Sequence, residues 1–205
     1  MSTVVLCGSL GSTREMWEPQ LRALAGHDVV RVDHPGHGGE PVEDFEEVAD
    51  LARRVLRRVD ADRFSFVGLS LGGAIGMRIA LDAPERLERL VLACTAARFA
   101  EPAFWQERAA TVRAEGIEAI ADTVVGRWFT PAFGDVSRYR AMLVSTDPEG
   151  YARCCDGLAR FDVRDELHGV AAPTLVVAGA DDPSTPPAQG ALIDGALRLH
   201  HARYR

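Results

Sequence analysis

Ser70 stands in Gly68-Leu69-Ser70-Leu71-Gly72-Gly73, a Gly-x-Ser-x-Gly arrangement with one more glycine behind it. A serine hydroxyl is a weak nucleophile until its backbone aims it and a base takes its proton. Glycines on both sides suit a sharp turn in which neighbouring Cβ atoms would collide. An apolar run rich in Phe and Val precedes the serine, and an alanine-rich helical pattern follows it. Strand, turn and helix are the context that separates a nucleophile elbow from an ordinary glycine-rich turn. The sequence therefore predicts Ser70 as nucleophile. The amide of Leu71, at a helix N-terminus, is its expected oxyanion donor.

Two other stretches carry matching chemistry. Residues 3–7 are β-branched and apolar and run into Gly8-Ser9-Leu10-Gly11-Ser12, where the backbone N–H of Ser9 or Leu10 suits a second oxyanion donor. The competing reading is a plain strand-to-helix turn. Residues 173–178 form another apolar strand ending in Gly179-Ala180-Asp181-Asp182, which leaves a carboxylate at the sheet edge that carries Ser70. Asp182 is the candidate triad acid. Asp181 competes, and both could simply cap the turn and the helix after it.

These groups need a scaffold. Residues 14–25 read as a helix with Trp17, Leu21 and Leu24 on one side, and residues 28–33 as a second strand. That strand leads into Asp33-His34-Pro35-Gly36-His37-Gly38-Gly39. Two histidines three apart invite a metal reading, but no third ligand is near and the segment is a loop rather than a helix face. They read as loop histidines in a glycine-shaped turn. Residues 42–59 form an amphipathic helix whose Arg53, Arg54, Arg57 and Arg58 read as a solvated face. Residues 71–81 are a central apolar helix and 87–94 the next strand. Near-continuous apolar strands alternating with helices indicate an α/β domain with a mostly parallel sheet covered on both faces.

Composition shifts near Thr95. Residues 96–166 show helical periodicity and read as a cap inserted into a core made of residues 1–95 and 167–205. A cap closing over Ser70 would exclude water and supply selectivity. Trp128 is a candidate pocket residue, with core packing as its alternative, and Arg127 beside it is the candidate carboxylate clamp.

The charge of −7 at pH 7 lacks the clustered basic face that a nucleic-acid partner needs. No stretch approaches the apolar length of a membrane span, and no signal pattern follows Met1, so a cytoplasmic protein is expected. Cys7, Cys94, Cys154 and Cys155 lack metal-ligand spacing and read as reduced, mostly buried thiols.

Taken together the residues resemble an α/β-hydrolase, and more narrowly the 3-oxoadipate enol-lactonases of the β-ketoadipate pathway of aromatic degradation. Stretches carrying the narrower likeness are Ser9-Leu10-Gly11, Met16-Trp17-Glu18-Pro19-Gln20, the Gly36-His37-Gly38 loop, Thr95-Ala96-Ala97-Arg98, Arg127-Trp128-Phe129-Thr130-Pro131, Ser145 to Tyr151 and Gly179 to Pro187. The resemblance implies cofactor-free hydrolysis of a small carboxylate-bearing lactone or ester by serine, acid and a histidine expected last. The N-terminal β-hairpin usual in the family has no counterpart ahead of Thr3. The residues after Asp182 reach only Arg205, short of the family's last strand, histidine loop and final helix. His201, or His200 beside it, is the candidate base within this chain. Two other readings remain: a carboxylesterase of different substrate range, and a catalytically silent member that binds a small acid or a partner.

Overall fold

The computed structural model describes residues 2–197. Five parallel strands make the sheet: β1 (Thr3–Cys7), β2 (Asp28–Val32), β3 (Phe64–Leu69), β4 (Leu87–Ala93) and β5 (Thr174–Val177), in the order β2-β1-β3-β4-β5. Strand alternation sorts the side chains between two faces. Val5, Cys7, Phe64 and Phe66 join the main core, whereas Val4 and Leu6 join a smaller cluster around Trp17, with Val67 and Leu69 packed against it. The α/β architecture read from the sequence is the one observed.

Helices α1 (Glu18–Leu21), α2 (Val48–Arg58) and α3 (Leu71–Asp82) lie between the strands. The helix expected over 14–25 is instead a 3₁₀ turn at Arg14–Trp17 followed by the single turn of α1. Pro19 lacks the N–H that would continue a ladder from the preceding turn. Trp17 is buried, as the spacing required. Helix α2 begins at Val48 rather than near 42, because Glu47 and Asp50 form a reciprocal capping box there. Ahead of it, residues 42–47 are irregular, yet Phe45 among them is buried.

Arg54 corrects the solvated-face reading of α2. Its side chain is 6% exposed. Nε donates to Glu43 Oε1 at 2.8 Å, Nη2 to Glu40 Oε2 at 2.7 Å and Nη1 to the carbonyl of Asp33 at 2.8 Å. The guanidinium thus fastens both ends of the loop that carries His34 and His37.

Between β4 and β5 the chain passes through α4 (Pro102–Glu115), α5 (Ala121–Val125), α6 (Ser137–Val144) and α7 (Pro148–Arg160). One isolated bridge, Arg98 to Asp162, closes the base of this excursion. Its apolar residues, including Val112, Leu143, Tyr151 and Leu158, belong to the same core cluster as the sheet. Helix α8 (Pro187–Ala196) follows β5. No described helix is long and apolar enough to cross a membrane.

Candidate active site

The register brings the expected residues to one edge. Cys7 pairs with Gly68, Leu69 with Ala93, and Ala93 with Val177. The loops after β1, β3 and β5, which hold Ser9 and Leu10, Ser70, and Asp182, therefore leave the sheet side by side at its carboxyl end. The strand order reverses between β1 and β3, where open α/β sheets form their binding crevice.

Ser70 joins β3 to α3 with φ 53° and ψ −112°. A non-glycine residue in that region costs about 1–3 kcal/mol, so the surroundings must enforce it. The Ser70 amide donates to the Ala93 carbonyl at 2.9 Å, and the Gly72 amide donates to the Gly8 carbonyl at 3.0 Å. A Cβ at Gly72 would overlap the Cys7 carbonyl, and one at Gly68 would overlap the Gly72 carbonyl. The glycines are there for close backbone approach. Leu71 opens α3, so its amide has no carbonyl to meet within the helix.

The loop after β1 is held from beneath by the two histidines. Ser9 and Leu10 are buried, and the Ser12 amide and hydroxyl donate to the Ser9 carbonyl at 3.1 and 2.9 Å. His34 Nε2 donates to the Gly8 carbonyl at 3.0 Å. The Gly11 amide donates to His37 Nε2 at 3.1 Å, and His37 Nδ1 donates to the Pro35 carbonyl at 2.9 Å. The accepting role of Nε2 requires the Nδ1–H tautomer of His37. Burial lowers the His34 pKa to about 3 and that of His37 to about 4, so both rings are neutral near pH 7. They are loop histidines, as expected, and from burial they prop the candidate oxyanion loop. The sequence signal for that role was two imidazoles in a loop leaving a buried strand, where polar rings need partners.

Asp182 caps its own turn. Oδ1 accepts the amides of Ser184 at 2.8 Å and Thr185 at 3.0 Å, and Oδ2 accepts the Thr185 hydroxyl at 2.8 Å. The two readings of this residue are compatible, because the same bonds that shape the turn fix the carboxylate. Asp181 is exposed. His200 and His201 lie outside the described residues, and no hydrogen bond reaches the Ser70 hydroxyl among those described. No cluster of three His, Cys, Asp or Glu suitable for a metal occurs among the described residues.

In the excursion between β4 and β5, Trp128 is half-buried against the main core, and Arg127 is exposed with its guanidinium 6.0 Å from the Phe104 ring. Arg108 approaches the same ring at 4.5 Å and that of Trp105 at 5.3 Å. Arg108 is half-buried, and no carboxylate pairs with it among the described residues. Its charge acts on Tyr151, whose hydroxyl is buried and has no hydrogen-bond partner among the described residues. Burial raises the Tyr151 pKa, so the phenol stays protonated. The Tyr151 ring abuts Gly11 of the loop after β1: a Cβ there would lie 3.1 Å from Cε2. Sequence spacing did not single out Arg108 from the other arginines of the excursion.

The sequence profile of the alpha/beta hydrolase fold family matches residues 2–205. The chain is an α/β-hydrolase. This hydrolase is 36% identical over 197 residues to "3-oxoadipate enol-lactonase 2" of Acinetobacter baylyi, spanning 91% of the chain and 74% of the relative. It is 32% identical over 207 residues to "3-oxoadipate enol-lactonase 1" of the same organism, spanning 97% and 76%. Among solved structures it superposes on the enol-lactonase from Burkholderia xenovorans LB400 with TM-score 0.94 and 36% identity, covering 99% of this chain and 82% of that one. The α/β-hydrolase thus stands among lactone and ester hydrolases. Its serine precedes its candidate acid in the chain, the order usual in this fold.

Proposed function

We propose that this hydrolase opens a small enol-lactone bearing a carboxylate, releasing 3-oxoadipate. Ser70 Oγ attacks the lactone carbonyl while a histidine, assigned to His201, takes its proton. Asp182 orients that imidazole. The Leu71 amide and that of Ser9 or Leu10 hold the oxyanion. Collapse breaks the acyl–oxygen bond, and the histidine returns the proton to the leaving enolate. Water, deprotonated by the same base, then cleaves the acyl-enzyme and restores Ser70. No cofactor enters. Each oxyanion donor contributes about 2.7–4 kcal/mol to lowering the barrier.

The observation that carries the substrate class is Arg108, a half-buried cation without a carboxylate partner among the described residues, set beside a ring that touches the oxyanion loop. A substrate carboxylate would pair with it and take a hydrogen bond from Tyr151. Arg127, 6.0 Å from the Phe104 ring, is more exposed and would sit at the rim. Turnover of the enol-lactone should exceed that of a neutral short-chain ester by its kcat/KM and vanish in Ser70→Ala. Equal or better turnover of the neutral ester would make the protein a carboxylesterase instead. Ligand binding without turnover, unchanged in Ser70→Ala, would make it a silent member of the family.

A further inference from the structure

The peptide plane that joins Ser70 to Leu71 carries two groups of opposite use. Its N–H belongs to Leu71 and faces the candidate oxyanion site; its carbonyl belongs to Ser70. In a planar trans peptide the two point in opposite directions, so whatever fixes the carbonyl also aims the amide. Thr95 Oγ1 donates a hydrogen bond to the Ser70 carbonyl at 2.8 Å. That carbonyl also accepts the Ala74 amide at 3.1 Å, the first bond of α3.

The threonine is placed for this contact by several independent features. It is 3% exposed. Gly73 makes room for it, since a Cβ there would come within 2.6–2.7 Å of Thr95 Oγ1, Cβ and Cγ2. The turn that carries it is itself braced: Ala93 accepts the Ser70 amide at 2.9 Å, and the Cys94 amide donates to the Val177 carbonyl at 2.8 Å. Cys94 adopts φ 43°, which lets the chain leave β4 and return its next side chain toward the elbow. One short turn therefore grips both main-chain polar groups of Ser70.

We propose that Thr95 is a positioning residue of the oxyanion hole, whose hydroxyl aims and polarises the Leu71 amide through the Ser70 carbonyl. A donor on a peptide oxygen draws electron density from the nitrogen and strengthens its N–H as a donor. The effect falls on the transition state, where the oxyanion forms, and leaves ground-state binding of the substrate nearly unchanged. Thr95 touches no reacting atom. This role rests on Ser70 being the nucleophile.

The test compares Thr95→Val, nearly isosteric but without the donor, with Thr95→Ser, which keeps it; Thr95→Ala replaces the valine variant should that one not fold. Thr95→Val should lower kcat for the enol-lactone, and the rate of fluorophosphonate labelling, by about three- to tenfold at unchanged KM, the equivalent of one net hydrogen bond. Thr95→Ser should recover both. The proton and nitrogen shifts of the Leu71 amide should move in the valine variant and return in the serine one. Wild-type kcat in Thr95→Val, or equal impairment in Thr95→Ser, overturns the proposal. An unreactive wild-type chain would sink the hydrolase mechanism, and the Leu71 shifts would then decide on Thr95 alone: an amide signal that does not respond to loss of the hydroxyl overturns it.

Discussion

His34 donates from full burial to the carbonyl oxygen of Gly8, and that same oxygen receives the amide of Gly72. One acceptor thus ties together the loop after β1, the helix after Ser70 and the loop after β2. Gly8 is the junction between the two backbones whose amides are proposed for the oxyanion.

Removing the imidazole should loosen that junction. His34→Leu leaves the Gly8 carbonyl with the Gly72 amide as its remaining donor, and the loss of one net hydrogen bond should cost about 0.5–1.5 kcal/mol in stability. The larger consequence should fall on kcat, since the loop that carries the Ser9 or Leu10 amide loses one of its two histidine props while the other, His37, remains. Chemical denaturation together with kcat and KM for the enol-lactone checks both parts, and a variant with wild-type kcat would separate His34 from the oxyanion loop.

Acid should act through the same pair. The pKa values of His34 and His37 in the folded chain, about 3 and about 4, lie below the usual value of 6.5 because burial disfavours the imidazolium. The unfolded chain therefore takes up protons first. The two neutral rings contribute their full share of stability above pH 6.5, and that share is lost as pH falls toward 4 and 3. Between pH 7 and 5 the loss should be about 3–4 kcal/mol for the pair, at about 1.4 kcal/mol per pH unit each below 6.5. Protonation of His37 at Nε2 also removes the acceptor of the Gly11 amide. Unfolding free energies across this range should show a slope that His37→Gln roughly halves; a slope indifferent to that substitution would point to other groups.

Arg53 and Arg54 are neighbours in the sequence with opposite surroundings. Arg54→Met strands the Asp33 carbonyl and the carboxylate of Glu43 and should cost about 3 kcal/mol, somewhat less to the extent that water reaches Glu43. Arg53→Met removes only an exposed ion pair to Asp50 and should change stability by about 0.5 kcal/mol or less. Paired urea midpoints measure the difference, and equal values would return Arg54 to the surface.

Arg108→Met should raise KM for the carboxylate-bearing lactone by about tenfold or more, the worth of a charged hydrogen bond, with little effect on a neutral ester. Arg127→Met should change either KM by no more than about twofold. Steady-state kinetics on both substrates decides between the two arginines. An effect confined to Arg127→Met would move the clamp to the rim.

Local demands were legible in residue order. Gly68 and Gly72 are required wherever a backbone passes within contact distance of another backbone, so the elbow at Ser70 could be read before its neighbours were known. Strand alternation and apolar runs likewise foretold the five strands, and the Gly-x-x-Asp ending placed Asp182 in a turn. The helix expected over 14–25 was misread because periodicity cannot weigh a proline against the packing of Trp17 on the far sheet face.

Contacts between distant segments were not legible, because a side chain's type says what it can bond and not what it will meet. The sequence carries Arg54 in a row of arginines, and only its burial beneath Glu40 and Glu43 makes it a brace. It carries His34 and His37 in a glycine-rich loop, and only the parallel pairing of β1 with β2 brings that loop under Gly8 and Gly11. Residue order was enough to mark the turn at Ser70 by its glycines, although the groups that hold the turn, at Gly8, Ala93 and Thr95, lie far from it in the chain. The candidate oxyanion amides and the histidines that hold the loop after β1 come from strands and helices far apart in the chain, and the order of the sheet brings them together.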